Sequence, residues 1–365
     1  MKKKWILAGG LALALIAGSA HFKYYLQAGY GQLLIISNAH PIDAYLADPS
    51  VDVSLKVRLA KVKRIRDFAI RELELPDSDS FTTYVDIKRP YVAWNVIATP
   101  ELSLRPVEWC FPIAGCASYR GYFNKNDALA FARSMQKAGY DVHVTEVPAY
   151  STLGWFSDPV MSSFINYSEA QLARLIFHEL AHQVLYVKGD SQFNESFAVA
   201  IEEEGVERWI AMHGDEKMRL TLMANNKRKK EFLALLAKYQ KRLADNYASD
   251  ATVEMKRAEK ARILTALQDE FRTVKVGWNG YTGYDGWFAR QLNNAHIASI
   301  ATYHSFVPGF RTLMKDQANF QAFYATARSL AALPQGLRRE QLSGLEKVEL
   351  PPVPGEQVKV SQEQT

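Results

Sequence analysis

The segment at residues 168–189 constrains the fold most, because it carries signals for both ends of one helix. Ser168 followed three residues later by Gln171 is a capping-box signature, and an apolar run at 172–176 comes directly after it. Gly189 stands where a glycine often follows the last helical turn. The sequence therefore predicts a well-defined helix from Ser168 to about Val187.

This helix contains the pentad His178-Glu179-Leu180-Ala181-His182. Residues four apart lie one turn above each other on a helix, so both imidazoles can bind one cation. Glu179 is offset from them and can reach a water bound at the same place. The pattern predicts a catalytic zinc site in which His178 and His182 are ligands and Glu179 is the general base.

A catalytic zinc usually has three protein ligands and keeps its fourth position open. Glu195 is the predicted third ligand, because a second helix is expected to begin near Gln192. The tight turn at 188–190 folds His182 and Glu195 toward one corner. Three glutamates further along the second helix are rivals for this role: Glu202, Glu203 and Glu204. One Zn²⁺ per chain is expected.

The spacing of apolar residues predicts an α+β domain followed by a mostly helical C-terminal half. Helical spacing runs from 24 to about 75, antiparallel strands are expected between 81 and 123, and a helix is predicted at 126–138. An alternating strand follows at 141–147. The stretch at 206–271 is rich in Lys, Glu, Leu and Ala, and it predicts a charged helical hairpin with a break near Tyr247–Asp250.

The first twenty residues have the pattern of an export signal. Three lysines precede an apolar run at 5–17, and small residues follow at 18–20. The run is shorter than the ~18 apolar residues of a spanning helix, so cleavage after Ala20 is expected, with an uncleaved N-terminal anchor as the alternative. The protein is therefore predicted to be exported and to lie in the periplasm or envelope, touching the membrane only through such an anchor.

Only two cysteines occur, Cys110 and Cys116. Pro112 and Gly115 between them can supply a turn, and an oxidising compartment would let a disulfide persist. Two buried free thiols are the alternative. A zinc site built on cysteines is excluded by their spacing and by the lack of a second pair.

Composition limits the remaining possibilities. The chain has 365 residues with 44 Lys and Arg against 39 Asp and Glu, and a net charge of only +5 argues against nucleic acid as a partner. The predicted organisation is a signal or anchor at 1–20, an α+β catalytic domain at 21–200, a helical subdomain at 201–348 that completes the site, and a disordered tail at 349–365.

The segment His178–Gln183 followed by Asn194–Ala198 resembles the gluzincin pattern of HExxH and NExFA. The interval of twelve residues between His182 and Glu195 is shorter than in aminopeptidases of that clan. Nearly the whole mature chain resembles a family of exported bacterial proteins that are named aminopeptidases from their zinc motif. The segments that carry this wider resemblance are 94–96, 109–112, 119–123, 150–156 and 293–295.

The resemblance implies a zincin-like fold, with an antiparallel or mixed sheet beside the active-site helix, and a metallopeptidase acting on peptides or proteins. Many members carry a lipid-attachment cysteine after the signal, whereas this chain has His21 near that place, so lipidation is not implied. A segment at 150–156 is either a strand edge for an extended peptide or a core hairpin. Three tyrosines are candidates to stabilise the oxyanion: Tyr281, Tyr284 and Tyr303.

Three functions compete at this point. The first is a zinc-dependent peptidase outside the cytoplasm, the second a non-catalytic zinc-stabilised scaffold, and the third a zinc hydrolase of a non-peptide amide. Glu179 argues against a scaffold, because a structural metal site needs no base. An aminopeptidase would also present a carboxylate to the free amine of its substrate, and Glu101 is a candidate for that role. Exo- and endopeptidase action both remain open.

Overall fold

The computed structural model describes residues 20–111, 115–152 and 155–345, with side chains from residue 23 onward. The predicted export segment, apart from residue 20, and the predicted disordered tail lie outside these ranges. Within the described ranges, no helix has both the length and the apolar character needed to cross a bilayer.

Three helices open the described chain, as the helical spacing predicts, and a two-residue strand lies among them. Their bounds are α1 Ala20–Ser37, β1 His40–Pro41, α2 Ile42–Ala47 and α3 Val53–Glu72. Asp52 begins α3 by accepting hydrogen bonds from the backbone N–H groups of Ser54 and Leu55. The α3 face with Leu59, Val62, Ile65 and Phe68 is fully buried in the main core.

The strands form three small sheets. In the first, β2 (Thr83–Val85) pairs antiparallel with β1 and parallel with β8 (Val160–Met161), so this sheet is mixed. In the second, β3 (Ala93–Pro100) lies between β6 (Arg120–Tyr122) and β7 (Tyr140–Val147), antiparallel to both. The third is a hairpin of β4 (Trp109–Phe111) and β5 (Gly115–Ala117).

The two faces of the second sheet have different environments because side chains alternate along a strand. One face carries Trp94, Val96 and Ala98 and packs against α4, which spans Lys125–Lys137. On the opposite face, Asn95 pairs with Thr145 and Ile97 pairs with His143. That second face is polar and looks toward the C-terminal helices.

The predicted disulfide is confirmed. Cys110 on β4 and Cys116 on β5 are directly opposite each other and are joined by a disulfide bond. The turn at 112–114 lies outside the described residues. Gly115 has φ +76°, and a Cβ atom there would lie 3.0 Å from the backbone nitrogen of Gly189. The Gly115 end of the hairpin therefore packs closely against the turn that follows the histidine helix.

The capping box of the histidine helix is confirmed: the Ser168 side chain accepts from the N–H of Gln171, and the Gln171 side chain bonds back to Ser168. This helix, α5, spans Glu169–Val184. It ends three residues before the predicted Val187, because Leu185 already has extended backbone. Gly189 has φ +80° in the following turn, so it shapes the connection and does not end the helix.

The C-terminal half is helical, with α6 Ser191–His213, α7 Glu216–Ala248 and α8 Val253–Val276. The hairpin of α7 and α8 breaks at 249–252, as predicted, but it begins at Glu216, because α6 continues past Val206 to His213. Shorter helices follow at α9 Asp285–Phe288, α10 Asn294–His304, α11 Val307–Lys315, α12 Phe320–Ala331 and α13 Gln335–Leu345.

The main core surrounds α5 and α6. Phe177 on α5 contacts Phe68 on α3, and Phe197 on α6 lies between Phe310 and Phe323 of the C-terminal helices. These rings are almost completely inaccessible to solvent. Because both helices are packed on several sides, the side chains on their facing surfaces have little freedom to move.

At Gly205, α6 approaches this core closely. A Cβ atom there would lie 2.6 Å from Leu73 and 2.7 Å from Phe177, well inside normal contact distance. We expect Gly205→Ala to destabilise the fold by about 1–3 kcal/mol through overpacking. Thermal unfolding followed by circular dichroism measures this change. Gly336→Ala on α13, where a Cβ meets nothing within 4 Å, is the matched control. Equal melting temperatures for the two variants would contradict the packing at Gly205.

Candidate metal centre

The structure brings the three predicted ligands together between α5 and α6. His178 Nε2 lies 3.2 Å from His182 Nε2 and 3.2 Å from Glu195 Oε2, and His182 Nε2 lies 3.7 Å from the same oxygen. His182 and Glu195 are buried, and His178 is about 13% exposed. Among the described residues, these three form a group that could hold a metal ion.

The connection between the two helices places Glu195 opposite the histidines. The Asn194 side chain closes a ring with Val187, donating to its carbonyl and accepting from its N–H, both at 2.8 Å. Asp190 accepts from the N–H of Phe193 at the start of α6, and it pairs with the buried Arg338 at 3.1 Å. These contacts fix the first turn of α6, on which Glu195 lies.

The distances fit a zinc ion. Zinc binds His nitrogen and carboxylate oxygen at ~2.0–2.2 Å in a tetrahedral arrangement, so neighbouring ligand atoms stand ~3.3 Å apart. The three observed separations, 3.2, 3.2 and 3.7 Å, lie close to that value. Two imidazoles and one carboxylate are also the donor types that catalytic zinc uses.

Glu202 supports His178 from the other side of its ring. Its Oε2 lies 2.8 Å from His178 Nδ1, and its Oε1 accepts from Arg174 at 2.7 Å. This contact directs Nε2 of His178 toward the other ligands, because one ring nitrogen is held while the second remains available. Glu202, a rival for the ligand position by sequence, therefore lies behind His178 and outside the three-residue group.

The other two rivals point away from the histidines. Glu203 pairs with Lys229 at 2.8 Å and with Arg311 at 3.1 Å, and Glu204 pairs with Arg208 one turn along α6. Helical periodicity separates them from Glu202 by about 100° and 200°, so only one of the three can share the face of Glu195. The interval of seven residues from Glu195 to Glu202 spans about two helical turns and is the sequence signal that could have identified this one.

Charge in the cluster is strongly coupled. Burial raises the pKa of Glu195, but hydrogen bonds with His178 and His182 outweigh it and lower the pKa to about 2. Burial also raises the pKa of Glu202, and its bond with His178 and the charge of Arg174 lower it to about 2. Burial lowers the pKa of His178, but its bonds to the two glutamates raise it well above 6.5. The cluster thus favours positive charge between two carboxylates, and a bound cation would supply it.

Glu179 is half-buried on α5 between the two histidines. Burial raises the pKa of its carboxyl group, while the nearby His178 and His182 act in the opposite direction. A carboxylate with a raised pKa is a stronger base, and it holds a proton more readily after accepting one. Its place and its protonation behaviour both suit a general base.

Of the three candidate tyrosines, the structure brings only Tyr303 to the centre. Its ring lies 6.5 Å from that of His178, and the negative charge of Glu195 together with burial raises its pKa well above 10. Tyr284 stacks on Phe232 at 4.2 Å, and Tyr281 belongs to the same separate core.

Sequence reasoning missed Tyr119, which follows the disulfide hairpin. Burial raises the pKa of its phenol, and the charges of Glu195 and Glu179 raise it further. The residue is 59 positions from His178 in the chain, so no local spacing signals its presence here. Both Tyr119 and Tyr303 therefore carry a phenol that keeps its proton at neutral pH and can donate it in a hydrogen bond.

Two further sequence candidates lie elsewhere. Glu101 forms a two-fold hydrogen-bonded pair with Arg257, both bonds at 2.8 Å, so its carboxylate is already engaged on the surface. The strand predicted at 150–156 is wrong for the described part of that segment, because β7 ends at Val147. Thr152 instead lies in a loop, where its backbone N–H and its hydroxyl group both donate hydrogen bonds to the Asp158 carboxylate.

The chain is similar to a known protein family. The model of a family described as "Putative aminopeptidase" matches residues 23–342, which include the whole cluster and its supporting residues. No curated protein and no solved structure matches the chain.

Glu202→Gln tests the support of His178. We expect the wild-type chain to hold one zinc and this variant to bind it ~10–100-fold more weakly, because the neutral amide holds the imidazole less firmly. Zinc affinity is measured by competition with a chelator. Glu204→Gln, on the same helix but facing Arg208, is the control and should keep wild-type affinity. Equal weakening in both variants would contradict the role of Glu202.

Proposed function

Because the chain belongs to the family described as "Putative aminopeptidase", we propose that it is a zinc-dependent peptidase acting outside the cytoplasm. The observation that carries this proposal is the meeting of His178, His182 and Glu195 beside Glu179. The family description supports peptide-bond hydrolysis in general. The metal and the catalytic residues are our inference from the cluster.

The zinc ion would be held by His178, His182 and Glu195. When bound, zinc supplies Lewis-acid polarisation of the scissile carbonyl and makes water acidic enough to lose a proton near neutral pH. Glu179 accepts the proton of the attacking water on its carboxylate and then delivers it to the leaving amine. Glu202 and Arg174 keep His178 oriented throughout.

The two phenols suit the stabilisation of charge that develops on the carbonyl oxygen. Tyr303 and Tyr119 stay protonated, because burial and the charge of Glu195 oppose their ionisation. Preorganised donors of this kind act strongly where little water can screen them. We propose that at least one of them donates to the oxyanion.

A scaffold stabilised by zinc is the alternative in a different class. It would need the ligands but neither the base nor the two phenols, so the arrangement favours an enzyme. A hydrolase of non-peptide amides would use the same groups, and only the family description favours peptides over it. The description also favours action at free N-termini, although Glu101 is engaged with Arg257 and is not the amine anchor.

Changing the general base separates enzyme from scaffold. Glu179→Gln keeps the shape of the side chain and the three ligands, so zinc content and melting temperature should barely change. Hydrolysis should fall by ~10²–10⁴-fold or more, because the same residue also aligns the water and protonates the amine. Activity is measured with zinc-loaded protein on a diverse library of peptides with free and blocked N-termini.

The control is Glu204→Gln, which should retain full activity. The enzyme assignment fails if wild type and Glu179→Gln give the same background across the library. Cuts confined to free N-termini would identify an aminopeptidase, whereas internal cuts in blocked peptides would identify an endopeptidase.

Export is proposed from the N-terminal pattern and is supported by the Cys110–Cys116 bond, since disulfides persist in oxidising compartments. Protein isolated from the native cell envelope should show no free thiol when it is denatured and alkylated. The same protein reduced before alkylation is the control and should take up two labels. Two labels without reduction would argue against an oxidising location.

A further inference from the structure

A cavity of about 360 Å³ lies beside the metal centre. Its floor is the polar face of the second sheet, where Asn95 and Thr145 form a cross-strand pair. Its roof is the α10 segment that ends in Thr302 and Tyr303. The volume is within the range of ligand-binding clefts and can hold a large side chain or the end of a short peptide.

Tyr119 and Tyr303 connect the cavity to the centre. Both line the cavity, and both carry phenols whose ionisation is opposed by the negative charge of Glu195. Tyr303 also lies against His178. A substrate whose carbonyl reaches the centre would therefore place a neighbouring part of its chain in this cavity.

Two charged side chains line the cavity, Arg290 and Glu146. Their closest atoms, Nη2 and Oε2, are 3.8 Å apart, which is an ion pair but is too long for a hydrogen bond. No other ion pair involves the Arg290 guanidinium within the described part of the chain. Its five N–H donors are thus largely open to an incoming acceptor.

The histidines near Arg290 contribute no charge at neutral pH. His143 lines the cavity and stacks on His296 at 3.9 Å. Burial lowers the pKa of His143 to about 3 and that of His296 to about 4, and the charge of Arg290 acts in the same direction. Arg290 is therefore the single cation of the cavity wall in the described residues.

Trp287 supplies a second open donor in the same wall. Its indole N–H is buried and has no hydrogen-bond partner among the described side chains and backbone groups. A buried donor without a partner is costly, and a ligand that brings an acceptor can relieve that cost. The wall thus offers donors from two neighbouring side chains.

We propose that Arg290 binds a carboxylate of the peptide substrate in this cavity. The inference rests on the proposed peptidase function and names its substrate class. The guanidinium is planar and presents paired donors that match the two oxygens of a carboxylate. The charge of Glu146 keeps the Arg290 guanidinium near the cavity. Because this ion pair contains no hydrogen bond, a substrate carboxylate can replace Glu146 as the partner of Arg290. The carboxylate can belong to an acidic side chain next to the scissile bond or to the C-terminus of a short peptide.

Binding is measured on zinc-loaded Glu179→Gln by isothermal titration calorimetry, so that hydrolysis does not interfere. The probes are amidated tetra-alanine, the same peptide with a free carboxylate, and amidated versions with a single Glu or Gln at each position. We expect one carboxylate-bearing peptide to bind ~10–100-fold more tightly than its neutral counterpart. A Glu-over-Gln preference identifies the side chain as the source, and a preference for the free acid identifies the C-terminus.

Variants at the ion pair link the preference to Arg290. Adding Arg290→Met should reduce the preference ratio to near 1, and adding Glu146→Gln should increase it, because a competing carboxylate is removed. Adding Arg272→Met, an exposed arginine on α8 paired with Asp269, should leave the ratio unchanged.

The proposal is overturned if carboxylate and neutral peptides bind equally, or if Arg290→Met keeps the full ratio. Hydrolysis by the wild-type protein tests the proposed function separately. Cleavage of peptides with no preference for carboxylates would refute only the role of Arg290. A preference in binding without any cleavage would refute only the peptidase.

Discussion

The corner between α5 and α6 determines the geometry on which the centre depends. Two imidazoles on one helix can only offer two ligands, and the third must come from elsewhere at a separation of ~3.3 Å. The Asn194 amide closes on Val187, and Asp190 caps α6 while paired with buried Arg338. Together they bring the first turn of α6 over the last turns of α5. Without that corner, Glu195 would have no fixed distance from His178 and His182.

The same corner explains how several ionisable side chains can be buried together. A buried carboxylate is costly unless it is paired. Here both Glu195 and Glu202 contact the imidazole of His178, and Glu202 also accepts a hydrogen bond from Arg174. The arrangement needs positive charge at its middle. A proton on the imidazole or a bound cation can provide it, so metal binding and proton release are expected to be linked.

Elements far apart in the chain complete the surroundings of the centre. The disulfide hairpin packs against the turn at Gly189, and Tyr119 follows directly after that hairpin. From the C-terminal half, α10 contributes Tyr303. The domain boundary predicted at residue 200 lies inside α6. Glu195 before this boundary and Glu202 after it both contact His178. The C-terminal helices form part of the site's wall as well as part of the fold.

Much of the centre could be predicted from local spacing. The capping box defined where α5 begins, the HExxH pattern placed two imidazoles and a carboxylate on one helix, and Glu195 followed from a short turn and a new cap. These are relations between residues within one or two turns, where backbone geometry alone sets the distances. The Cys110–Cys116 pairing was predictable for the same reason.

Only the tertiary structure decided the rest. It showed that Glu202 bonds to His178 instead of joining the three-residue group, that Tyr119 and Tyr303 lie near that group, and that β2 also pairs in parallel. It also ended α5 before Val187 and left residues 150–152 in a loop. Several of these outcomes depend on contacts between distant segments, such as β2 with β8 or His178 with Tyr303. The sequence by itself determined the chemistry offered by two adjacent helices, because their spacing is local. The folded chain decided which distant groups surround it, because packing selects among side chains that local patterns leave equivalent.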